Sequence, residues 1–135
     1  MKYTWNSVAF DLPNGLVDQT IVTLVDHPDQ PTFTVTVATD ARGGQAFAAY
    51  VDGQLQDLAR TLPGYAQSSR ADRQVGQRAA VVVEHKAKSP QGAAMRQRQA
   101  YVDAAHGVVI VTVTCADRAD ARADEAFDQI LKTMG

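Results

Sequence analysis

The sequence predicts an α+β domain: an antiparallel sheet of about six to seven strands with two helices packed on one face. Two observations predict the class. Segments with the period-two alternation of strands fill most of the chain, and the period changes to a helical one in just two places, mid-chain and at the C-terminal end. The resulting order is strands, helix, four strands, helix, without a repeat, a low-complexity tract or a linker, so residues 1–135 read as a single domain.

Each element has its own signal. "VAFDLPNG" (Val8 to Gly15) is a short strand ending in a Pro-Asn-Gly turn. "QTIVTLV" (Gln19 to Val25) is β-branched and apolar on both faces, and "DHPDQP" turns the chain. "TFTVTVATD" (Thr32 to Asp40) alternates cleanly, with Phe33, Val35 and Val37 on one face and Thr34, Thr36 and Ala38 on the other. From Gln45 to Leu62 the apolar residues Phe47, Val51, Leu55, Leu58 and Leu62 recur at helical spacing, and "LPGY" stops the helix because proline cannot continue it. Strands follow near Tyr65 to Arg73 and over Gln77 to Lys88. "SPQG" is a turn, and a strand runs through Met95 to Val102. "VVIVTVTC" (Val108 to Cys115) is the most apolar strand and is expected to be central. The closing helix carries an inner stripe of Phe127, Ile130, Leu131 and Met134 behind a charged first half.

Composition narrows the function. A chain of 135 residues can bury roughly two thirds of its unfolded surface and needs no staples. A net charge of −2 argues against a nucleic-acid partner held through its phosphates. Cys115 is the single cysteine, which excludes an intramolecular disulfide and suits a small core residue. No window approaches the ~18 apolar residues of a membrane span, and the N-terminus has no long apolar run after its lysine. The expectation is a soluble cytoplasmic protein without direct membrane insertion.

The catalytic inventory is thin. His27, His85 and His106 have no partner at metal-ligand spacing, so no metal and no cofactor are expected. Glu84 and His85 are adjacent on a strand and point to opposite faces. "ARGGQAF" lacks the lysine and glycine spacing of a phosphate loop. Asp117, Asp120, Asp124 and Glu125 beside Arg118 and Arg122 read as a helix surface laced with ion pairs. These residues do not suggest an enzyme.

Several segments together resemble the DcrB-related family. They are "DLPNG", "FTVTVATD", "YVDGQLQDLARTLPGY" and above all "KSPQGAAMRQRQAYV" followed by "GVVIVTVTC". They cover nearly the whole chain in order, and the "SPQG…RQRQAYV" hairpin is the most specific. His85 and Ala87 stand where that family often has aromatic residues. The resemblance implies a PsbP-like fold. Through the family's cytoplasmic Eag branch, it also implies a homodimeric chaperone. Such a chaperone shields the N-terminal transmembrane helices of a type VI secretion effector before export. A non-enzymatic small-ligand-binding or scaffold module of the same fold is the alternative.

Under that resemblance the client groove falls to Val22, Leu24, Thr34, Thr36, Gln97 and Gln99. Met95, Gln97, Gln99 and Tyr101 share one face of their strand, and Arg96, Arg98, Ala100 and Val102 share the other. Phe33, Val35 and Val37 are expected to pack against Phe47, Val51 and Leu55, leaving Thr34 and Thr36 open. Glutamine offers donors and an acceptor without net charge, which suits contact with an apolar helix. The arginines are rim charges or dimer contacts.

Overall fold

The computed structural model describes residues 2–5, 7–11, 13, 21–118 and 120–134. The Asn14 and Gly15 part of the expected Pro-Asn-Gly turn, and Gln19 and Thr20 of the next strand, lie outside them. Strands β1 (Lys2–Trp5) and β2 (Val8–Asp11) form a two-stranded antiparallel hairpin. β2 was expected; β1 carried no strand signal strong enough to be assigned.

The main sheet contains β3 (Val22–Val25), β4 (Phe33–Asp40), β5 (Ala66–Val75), β6 (Arg78–Lys88), β7 (Ala94–Ala104) and β8 (Gly107–Ala116). Its order is β3-β4-β8-β7-β6-β5, and every pair is antiparallel. The expected central strand, β8, lies between β4 and β7. Gly76 has φ 61° at the first position of the two-residue β5–β6 turn, where a non-glycine residue would be strained. Gly107 has φ 144°, and a Cβ there would lie 2.5 Å from the Asp40 carbonyl oxygen, so only glycine lets β8 start beside the end of β4.

Helices α1 (Phe47–Thr61) and α2 (Ala121–Thr133) complete the α+β fold. α1 ends where the Leu62 amide reaches the Leu58 carbonyl at 2.9 Å and Pro63 blocks the next turn. Asp120 caps α2, its carboxylate accepting from the Arg122 and Ala123 amides at 3.1 Å each. The inner stripe of α2 is the expected one, with Phe127 and Leu131 buried and Ile130 and Met134 packed beside them.

Each helix takes its own set of sheet residues. α1 packs Tyr50, Val51 and Leu55 against Val81, Val83, Tyr101 and Val108. α2 packs Ala123, Phe127 and Leu131 in a cluster with Val35, Ala100, Val102, Val111 and Val113. Tyr101 lies between Ala100 and Val102 on one strand, and successive residues point to opposite sides. The helices therefore divide the two faces of the sheet between them rather than sharing one. Phe33, Val35 and Val37 consequently belong with α2, not with Phe47, Val51 and Leu55 as the alternation alone suggested.

Candidate functional site

The face that carries α1 is only partly roofed. Beyond Tyr101 it continues as two transverse rows of side chains, aligned because directly paired residues of neighbouring strands share a face. The first row runs His85, Gln97, Thr114, Thr34, Val25 across β6, β7, β8, β4 and β3. The second runs Val83, Gln99, Thr112, Thr36, Thr23 across the same strands. Thr34, Thr36, Gln97, Thr112 and Thr114 are half-buried, neither sealed in the core nor freely solvated.

Hydrogen bonds run along each row. His85 Nε2 lies 2.7 Å from Gln97 Oε1, and Gln97 Nε2 donates to Thr114 Oγ1 at 3.0 Å. Tyr101 donates its hydroxyl to Gln99 Oε1 at 3.0 Å, and Gln99 Nε2 donates to Thr112 Oγ1 at 3.1 Å. His85 is fully buried, with the Tyr65 ring 4.8 Å away, centroid to centroid. Burial holds its imidazole below the usual histidine pKa, because the charged ring would lose its water. Burial also pushes the Tyr101 phenol up, so that hydroxyl stays protonated as a donor. Met95 borders the rows near the strand ends. There a shallow recess of about 280 Å³ is lined by Phe33, Thr34, Met95, Thr114 and Cys115, among others.

The structure thus brings together four of the six residues expected in the groove: Thr34, Thr36, Gln97 and Gln99. It places the other two elsewhere. Val22 pairs with Val37 and Leu24 with Val35, so both lie on the α2 side of the sheet. Thr23 and Val25 take their place beside Thr36 and Thr34. The reason is parity: a shift of one residue inverts a strand, and β3 is apolar on both faces, so its pattern could not fix which face was which.

The other face explains the arginines. Arg96 donates to Glu84 at 2.7 Å and to Asp124 of α2 at 3.0 Å. Arg98 reaches Asp124 at 3.4 Å and lies over the Phe127 ring at 4.5 Å. Through these contacts they fasten α2 to the sheet. Cys115 is buried in the same layer, as expected of a small core residue. Among the described residues, no three His, Cys, Asp or Glu side chains gather as a metal site.

The DcrB family description matches residues 8–133. The chain belongs to the DcrB family. This DcrB-family chain is 25% identical over 135 residues to a Pseudomonas aeruginosa protein named Effector EagT6, a match covering 98% of this chain and 93% of that protein. It also superposes on the crystal structure of a P. aeruginosa protein of unknown function, PA94, with a TM-score of 0.85, covering 100% of this chain and 95% of that one. At 24% identity the second likeness shows the fold. No described helix is long and apolar enough to cross a membrane.

The four side chains that hydrogen-bond to Gln97 and Gln99 carry no site assignment in the sequence reading: His85, Tyr101, Thr112 and Thr114. A signal existed for three of them. The β6–β7 loop is centred on Gln91, and reflecting Gln97 through it lands on His85. Reflection through the tight turn between β7 and β8 lands Gln97 on Thr114 and Gln99 on Thr112.

Proposed function

We propose that this protein is a cytoplasmic chaperone that works as a homodimer. On this reading it holds an apolar N-terminal transmembrane helix of a type VI secretion effector against the partly roofed sheet face before export. One observation carries the reading: half-buried threonines stand with Gln97 and the more deeply buried Gln99 in two paired rows on a face that α1 leaves incompletely covered. Homology to the protein named Effector EagT6 supports it by connecting a near full-length relative to effectors.

The physics is consistent. A prospective membrane helix exposes about 20 apolar residues to water. Covering about 400 Å² of it yields on the order of 10 kcal/mol before the costs of association. Glutamines already paired within the sheet can meet such a helix without stranding a buried donor or acceptor. The recess at the strand ends is shallow and smaller than most small-molecule sites, so it does not favour a small ligand.

The test is co-expression with the N-terminal fragment of an effector encoded beside this gene. Thr36→Asp places a charge in the second row and should leave the fragment insoluble. Leu24→Asp, on the other face, should still solubilise it. If Thr36→Asp solubilised the fragment as well as the parent chain, the face would be wrongly assigned. The mass of the purified protein in solution checks the homodimer.

A further inference from the structure

An amide oxygen only accepts and an amide nitrogen only donates. With Oε1 of Gln97 facing His85 and Nε2 facing Thr114, the His85 proton must sit on Nε2. The second row has the same polarity, from the Tyr101 hydroxyl through Gln99 to Thr112. Both rows therefore run from the covered part of the face toward the threonines. Each threonine oxygen has accepted a bond and keeps its own hydrogen to give. Among the described residues, neither the Thr112 nor the Thr114 hydroxyl donates to a protein acceptor.

The glutamines are thus occupied. Gln99 is only 8% exposed, with its oxygen and its nitrogen both bonded. His85 has a second peculiarity: its Nδ1 is buried without a partner. An apolar ring would fill the same space without that unpaired atom. What the imidazole adds is the one bond to Gln97.

We propose that His85 is a positioning residue: by fixing the direction of the Gln97 carboxamide it makes Thr114 present a hydroxyl donor to the client, beside the Thr112 hydroxyl that the Tyr101–Gln99 row orients. The glutamines relay; the threonines make the contact. The proposal rests on the helix-binding reading above and names the client chemistry. Two residues along one strand face are roughly 6.6–6.8 Å apart. Carbonyls four residues apart on a helix are separated by about 6 Å along its axis. A helix lying along β8 could offer one carbonyl to each hydroxyl where small residues, four apart, leave its backbone bare.

The experiment has two arms. In the unliganded protein, nitrogen NMR of His85 should show Nε2 protonated and Nδ1 bare; a proton on Nδ1 would reverse the row and overturn the proposal. In the second arm, two synthetic helices of 20 Leu and Ala residues are titrated in mild detergent, one with a central Gly-x-x-x-Gly and one with leucine at those glycines. His85→Phe and Thr114→Val should each weaken the glycine peptide about tenfold, the scale of one hydrogen bond. The double variant should be no weaker than either single one, because both break the same row. His85→Gln, which keeps a donor, should restore binding, and it separates positioning from a folding defect. Additive losses, or equal losses for the leucine peptide, would overturn the proposal alone. Failure of the parent protein to bind either peptide would overturn the helix-binding reading and the proposal with it.

Discussion

His85 combines full burial with a single side-chain hydrogen bond, to Gln97. Burial lowers its pKa from the ordinary 6.5, so the unfolded chain binds a proton there more readily than the folded one. Stability then rises with pH through that window and is lost as pH falls below about 6.5. Asp26, with its carboxylate held well below the usual range chiefly by the Thr32 hydroxyl, titrates far below this window and does not blur it. Urea unfolding between pH 7.5 and 5 should show the decline in the parent protein and a flatter curve in His85→Gln. An unchanged slope would mean that His85 is not the titrating group. At this scale strand alternation puts Gln97 with Gln99 on one face of β7 and Thr34 with Thr36 on one face of β4, and the register through β8 makes those two faces the same. Histidine's partner needed a cross-strand register, which alternation along one strand does not contain.

Elements are held by charges that reach away from their own helix. Asp120, Asp124 and Arg122 read as a laced helix surface, because residues four apart are neighbours on a helix. Instead Asp120 caps α2, Asp124 spans to Arg96 and Arg98 of β7, and Arg122 reaches Asp26 of the β3–β4 loop at 3.5 Å. Asp117 likewise pairs with Lys86 of β6 at 3.1 Å. The helix itself was legible from its apolar stripe, but a charge pattern cannot say whether its partner lies one turn away or on a different strand. Two substitutions measure the difference. Asp120→Ala should cost about 0.5–2 kcal/mol, the usual worth of a lost N-cap. Asp124→Ala should cost about 1.5–3 kcal/mol, because it removes charge-assisted bonds to arginines that are mostly covered. Both would appear as a lower urea midpoint with an unchanged slope. A neutral Asp124→Ala would mean that apolar packing alone docks α2.

For the molecule as a whole, a strand apolar on both faces has two meanings. In β8 it means a helix on each side: Val111 and Val113 meet the α2 layer, while Val108 and Ile110 meet the α1 layer. In β3 it means an edge, where Val22, Leu24 and Val25 remain 40%, 51% and 42% exposed. The sequence pattern is the same in both, because composition records apolarity and not what covers it; the sheet order separates the two cases. Local stability should follow coverage. Amides of β7 and β8, paired on both sides and roofed by both helices, should exchange with deuterium only through global unfolding. Those of β3 and β5, each paired on one side, should exchange orders of magnitude sooner. β5 should be the more exposed edge along its length, since Ala66 to Gln74 all lie open. Adding an effector fragment should slow β3 and leave β5 unchanged, since β3 borders the two rows through Thr23 and Val25 and β5 lies at the far edge. If β3 is already as protected as β8 in the isolated protein, its edge is covered without a client, and the sheet ends in a contact rather than a vacancy.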